Sequence, residues 1–175
     1  GELYFDNVEI PLSHMLADPE HYSKHVYDTL AEANLHVGNL CLGVARAAYE
    51  HAHEYVHQRK QGGLPIIRHQ NVRYRLFHMF RKIEAARALV RRTVEYNALS
   101  PQAALQGSIA AKITGTQTAF EVASDALQLF GANGLTKEYP MEKLLRDARS
   151  GLIADGCNEI LAIKGGSLLF NPELV

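Results

Sequence analysis

His53 and His57 stand one helical turn apart and enclose Glu54 in the order His-Glu-Tyr-Val-His. This is the spacing at which a helix presents two imidazoles to zinc and a carboxylate to the water the metal activates. Two features argue against that chemistry. Nine residues separate His53 from Val44, a rotation of about 900°, so the pair falls opposite the apolar stripe and toward solvent. Lys60 also stands where the longer zinc-binding pattern has a glycine, and no further carboxylate motif follows at a suitable spacing. With nine histidines in the chain, His51 included, a solvated surface cluster explains the pair, and zinc hydrolysis ranks last among the readings weighed. Gly131-Ala132-Asn133-Gly134 resembles a phosphate-cradling loop but follows a helix and lacks the strand and remaining glycine of a dinucleotide fingerprint, so it reads as a helix terminus. Arg73, Arg75, Arg81, Arg87, Arg91 and Arg92 are spread around their helix, as in a solvated or interface face. Cys41 and Cys157 form no C-x-x-C pair and read as reduced thiols.

The elements that carry these residues are helical by period. Leu30, Val37, Leu40, Val44, Ala48 and Tyr55 recur at helical steps between about Tyr27 and Arg59. Gln61-Gly62-Gly63-Leu64-Pro65 ends that helix. Val72, Leu76, Met79, Phe80, Ile83, Ala86, Val90 and Val94 mark a second helix. A third is expected to start at Ser100-Pro101, with Leu105, Ile109, Ile113, Thr116, Phe120, Ala123 and Leu127 on its buried face and residues 131–134 closing it in left-handed backbone. Pro140 opens a fourth helix through about Arg149, and a last runs from about Asn158 to Leu169, loosened at Gly165-Gly166. Long helices with short loops pack as antiparallel neighbours, so the fold expected is all-α, an up-and-down four-helix bundle. Residues 2–10 alternate like a strand, with Leu3 and Phe5 on one face and a break at Asp6-Asn7. Residues 1–17 are therefore expected to be a terminal strand and linker, and 18–175 the helical domain, with Asp18-Pro19 as cap and first-turn proline. A lone strand lacks a sheet, which suggests partners elsewhere in a longer protein.

The 175 residues are 47% hydrophobic with a formal charge of −1, which suits one domain with a sizeable core and gives no electrostatic pull toward nucleic acid or an anionic membrane. No stretch has the length and apolarity of a membrane span, and residues 1–3 are not a signal peptide.

Three further segments change the balance. Asp125-Ala126-Leu127-Gln128-Leu129-Phe130-Gly131-Ala132-Asn133-Gly134, then Tyr139-Pro140-Met141-Glu142-Lys143-Leu144-Leu145-Arg146-Asp147-Ala148, then Asp155-Gly156-Cys157-Asn158-Glu159-Ile160 occur in order. They closely resemble the C-terminal signature of the acyl-CoA dehydrogenases: D-A-x-Q-x-x-G-G-x-G, Y-P-x-E-K-x-x-R-D-A and E-G-T-x-E/Q-I. Gln58-Arg59-Lys60-Gln61-Gly62-Gly63 with His69-Gln70 resembles that family's E-R-x-x-F-G…H-Q segment, and Leu3 to Pro11 resembles the last strand of its middle β domain.

The resemblance implies an oxidoreductase of fatty-acid metabolism that binds FAD across a subunit interface and oxidises an acyl-CoA thioester. It implies a homodimer or homotetramer, an electron-transfer flavoprotein as acceptor, and a bacterial cytoplasm or mitochondrial matrix. Arg59 and Gln70 would contact a neighbouring subunit's FAD, with Gln128, Gly131 and Ala132 on the same cofactor, and Cys157 and Glu159 completing the site. Gly62 replaces the usual aromatic, and Cys157 the usual threonine. Asp155 stands at the position of the family's catalytic glutamate. The task there is to take the proton alpha to a thioester, which calls for a carboxylate in a water-poor pocket. A few relatives carry the base near the position of Ala33, where Glu32 is the one close carboxylate, turned about 100° away. Asp155 is the candidate base. The competing reading is a non-catalytic oligomerisation and cofactor-shaping module. The domain by itself is expected neither to hold FAD tightly nor to turn over.

Overall fold

A computed structural model describes residues 1–170. The last five residues of the expected 18–175 domain lie outside them. Three long helices dominate: α1 (Tyr22–Gln58), α2 (Gln70–Leu99) and α3 (Leu105–Phe130), followed by the shorter α4 (Met141–Gly151) and α5 (Asn158–Phe170). A two-residue antiparallel hairpin, β1 (Lys60–Gln61) and β2 (Leu64–Pro65), turns the chain from α1 into α2 through Gly62 and Gly63, both at positive φ. α3 is the central rod and packs against α1, α2, α4 and α5. The architecture is the helical bundle that the periodicity predicts.

The sequence places the buried stripe of α1 in part: Ala48 and Tyr55 are buried, and Val37 and Val44 are half-buried against the core. Leu30 and Leu40 are 36% and 57% exposed, while Ala31, Asn34, Gly38, Cys41, Ala45, Ala48 and Ala52 are buried. The reason is the close approach of α1 to α3. A Cβ on Gly115 would lie 2.5 Å from the Gly38 carbonyl oxygen, so only small residues fit the seam and the bulky ones are turned aside. The main core then fills with Val56, Val72, Leu76, Met79, Val122, Phe130 and Met141. Each such side chain withdrawn from water contributes roughly 1.5–3 kcal/mol.

Three further expectations are corrected. Residues 1–10 form no strand and are exposed throughout, because among the described residues no strand lies beside them to satisfy their backbone. Asn7, at φ +50°, does break the segment where the sequence suggests. The third helix starts at Leu105 rather than at Ser100-Pro101, because its first turn is capped from a distance. Asn97 on α2 accepts from the Ala104 N–H at 2.9 Å and donates to Ser108 Oγ at 3.0 Å, and the Leu105 N–H donates to Tyr27 Oη at 3.3 Å. Finally, α5 runs unbroken through Gly165-Gly166, where Gly165 lies close against Ile109.

Candidate functional site

The end of α1, the hairpin and the end of α3 meet at one end of the bundle. Arg59 is the residue that leaves α1, its N–H still donating to the Tyr55 carbonyl at 2.8 Å and its own carbonyl accepting from Ile66. At the matching end of α3, Gly131 takes φ +60°, ψ −140°, a conformation that admits glycine and ends the helix there. Residues 131–135 then form a 3₁₀ turn, so left-handed backbone is confined to Gly131. Gly134 is needed instead for room, since a Cβ there would lie 2.9 Å from the Leu127 carbonyl oxygen.

Between these ends lies a cavity of about 420 Å³ lined by Arg59, Gln61, Gln128, Gly131, Ala132 and Asn133, among others. Its floor is aromatic. Tyr55 stacks on Phe130 with ring centroids 4.0 Å apart, Tyr139 meets both edge-on, and the Tyr55 hydroxyl accepts from the Asn133 amide at 3.0 Å. A second cavity of about 480 Å³ continues it past Gln61 and Gln128 to His69, Asn71 and Arg75. Thus Arg59, Gln128, Gly131 and Ala132 converge from segments some seventy residues apart. Gln70, the first residue of α2, is exposed and lines neither cavity, although both its neighbours line the second.

Asp155, Cys157 and Glu159 lie elsewhere, on the turn between α4 and α5 and the first turn of α5. Asp155 is exposed at φ +55° and Gly156 follows at φ +91°; Cys157 is half-buried and Glu159 exposed. The described residues alone do not form the water-poor pocket expected around Asp155. The turn sits beside Lys112 of α3, whose Nζ donates to the Gly156 carbonyl at 2.7 Å. Nineteen residues of α3 separate Lys112 from Gly131, roughly 28 Å of helix rise. The Asp155 turn and the Arg59 cleft are therefore two separate places on one domain.

Sequence reasoning missed Lys112 entirely. Its position three residues after Ile109 places it on the buried face, which was the signal available. Glu32, the alternative base, lines a different groove with Val90, Arg91 and Glu95 of α2. His53, Glu54 and His57 are exposed, as their rotation around α1 predicts. His57 Nδ1 lies 2.7 Å from the His53 carbonyl oxygen, and Glu54 accepts from Gln58. Among the described residues no third His, Cys, Asp or Glu joins the pair. Nor is any helix among them long and apolar enough to cross a membrane.

The cleft's donor set suits a dinucleotide such as FAD. Arg59 offers a forked cationic donor for paired phosphate oxygens, and among the described residues no carboxylate pairs with it. A Cβ built on Gly131 would meet nothing within 4 Å, so the backbone lies open to a ligand.

Comparison with known proteins agrees with the motifs. The profile described as acyl-CoA dehydrogenase, C-terminal domain, matches residues 24–165. An acyl-CoA dehydrogenase of Bacillus subtilis is 39% identical over 164 residues, covering 91% of this chain and 42% of that protein. The benzylmalonyl-CoA dehydrogenase of Aromatoleum aromaticum is 37% identical over 164 residues, covering 93% of this chain and 43% of its own. The solved structure of butyryl-CoA dehydrogenase from Megasphaera elsdenii superposes with a TM-score of 0.89 at 32% identity, over 95% of this chain and 43% of that one. The chain spans a little over two fifths of the length of these relatives. With the signature motifs, the helical bundle and these matches in agreement, the chain belongs to the acyl-CoA dehydrogenase family, as a C-terminal helical domain.

Proposed function

We propose that this domain serves a FAD-dependent acyl-CoA dehydrogenase that converts an acyl-CoA thioester to the 2-enoyl-CoA. The observation that carries the reading is the convergence of Arg59, Gln128, Gly131 and Ala132 on one cleft in a chain of this family. Arg59 and Gln128 hold the pyrophosphate and adenosine part of a neighbouring subunit's FAD, with Gln70 at the margin, and the open backbone at Gly131-Ala132 lets the cofactor approach. Asp155 takes the alpha proton of the thioester on its carboxylate, and Cys157 and Glu159 border it. When bound, the flavin accepts the hydride that leaves the beta carbon, so the alpha and beta C–H bonds break, the 2,3 double bond forms, and the electron pair leaves with the hydride. Reoxidation by an electron-transfer flavoprotein, a homodimeric or homotetrameric assembly, and a bacterial cytoplasm or mitochondrial matrix belong to the same reading.

The test is flavin retention by the full-length protein. Losing charge-assisted hydrogen bonds worth about 1.5–3 kcal/mol, Arg59→Ala weakens FAD binding at least about tenfold. Flavin absorbance after gel filtration and titration of the apoprotein read this directly. Unchanged affinity in Arg59→Ala would exclude the cleft as a cofactor contact.

A further inference from the structure

Lys112 is the one charged side chain among the buried residues of the described chain, with no exposed surface. An unpaired ammonium there would be destabilising by several kcal/mol, so its position has to be explained by its partners. It has two: the Gly156 carbonyl oxygen at 2.7 Å and Asn158 Oδ1 at 2.8 Å. Asn158, the first residue of α5, returns its amide to Thr116 Oγ1 at 3.0 Å, and that hydroxyl donates to the Ile113 carbonyl at 3.1 Å. A single buried amine thus ties the first third of α3 to the turn that carries Asp155. Burial draws its pKa below the ordinary lysine value, and the facing groups Cys41, Asp155, Cys157 and Glu159 pull it back up.

That turn needs such a tie. Asp155 and Gly156 are successive left-handed residues, and the left-handed region is unfavourable for a side-chain-bearing residue by roughly 1–2 kcal/mol. The backbone bond from Ala154 N–H to the Ser150 carbonyl lies before them, and the bond from Asn158 N–H to the Leu152 carbonyl closes the turn behind them. The Lys112 bond to Gly156 holds the peptide between. Leu161 packs where a Cβ on Gly156 would point, 3.2 Å away, so this backbone is confined from both sides.

We propose that Lys112 is a positioning residue, aiming the Asp155 carboxylate by fixing the Gly156 carbonyl and the start of α5. The proposal rests on the reading of Asp155 as the base. Proton abstraction is geometry-sensitive, and a displacement of about 1 Å is enough to slow it about a hundredfold.

The experiment is anaerobic stopped-flow bleaching of the flavin in the full-length holoenzyme, with a panel of straight-chain acyl-CoAs and the one that bleaches wild type fastest as probe. Lys112→Met lowers the limiting rate by about 10–100-fold, while flavin occupancy and the half-saturating probe concentration stay within about threefold. Lys112→Gln, which keeps an N–H donor on a side chain one bond shorter, falls between Met and wild type. In an Asp155→Asn background, Lys112→Met changes the residual rate by less than about threefold, because the group it positions has already gone. A wild-type rate in Lys112→Met, a loss explained wholly by missing flavin or weaker probe binding, or an equal loss in the Asp155→Asn background overturns the proposal. Should the Met variant not fold, Lys112→Gln decides: a slowed rate at full flavin occupancy supports the role, and an unchanged rate overturns it. Near-wild-type bleaching by Asp155→Asn alone overturns the base assignment and this role with it. A dead Asp155→Asn beside an unaffected Lys112→Met removes only the positioning role.

Discussion

On the proposed function, the chemistry of the domain rests on Asp155, one short carboxylate that the described residues leave exposed. A base acting on a weakly acidic carbon needs cover from water, and here that cover has to come from substrate or from protein outside these residues. In the full-length enzyme, Asp155→Asn keeps flavin and fold and loses acyl-CoA-dependent bleaching by about three orders of magnitude or more, since the amide has nearly the same shape and cannot take the proton. Asp155→Glu separates the two standing readings. A tuned base loses rate on its own substrate when lengthened and gains on simple straight-chain thioesters. A site that has lost its function shows no activity as aspartate, and glutamate either leaves that zero or restores turnover. Asp155 was singled out as the candidate base by the Asp-Gly-Cys-Asn-Glu-Ile motif. The hydrogen bond from Lys112 to the following Gly156 carbonyl was not legible there, because it joins segments more than forty residues apart.

Among the elements, the seam between α1 and α3 sets the tolerance of the fold. A side chain added at Gly115 would strike the backbone of Gly38, which cannot swing aside as a side-chain tip would. Gly115→Ala therefore destabilises by about 1–3 kcal/mol through forced separation of the two helices, despite alanine's better helix propensity. Urea denaturation monitored by circular dichroism measures this; unchanged stability would show that the seam accommodates a methyl group. The helices themselves were plain from apolar periodicity, and their ends mostly so. On α1 the expected stripe holds at Ala48 and Tyr55 and fails at Leu30 and Leu40, because glycine and alanine occupy the closest contacts with α3. The start of α3 was misjudged because Asn97 caps it from across a turn, a contact that local sequence does not announce.

Across the whole molecule, the Arg59 cleft and the Asp155 turn occupy opposite reaches of one rigid bundle, with roughly 28 Å of α3 between Lys112 and Gly131. Motif spacing revealed both groups of residues but not their separation, because distance along the chain says little about distance along parallel helices. In a symmetric assembly in which Arg59 serves a neighbour's cofactor, each working centre draws its base from one copy and its cofactor arginine from another. Two defective proteins can then repair one another. At flavin concentrations too low to load the Arg59→Ala site, Arg59→Ala and Asp155→Asn subunits, each inactive alone, form hybrids in which one centre of a pair is intact and the other doubly impaired. Random reassortment of equal amounts restores about a quarter of wild-type activity, half of the pairs being hybrid with one good centre in two. Co-expression with two affinity tags, followed by assay of the doubly tagged species, checks it, and a hybrid no better than its parents would place both residues in the service of the same copy's flavin. The separation of the two sites thus appears in a genetic cross as complementation between alleles of a single gene.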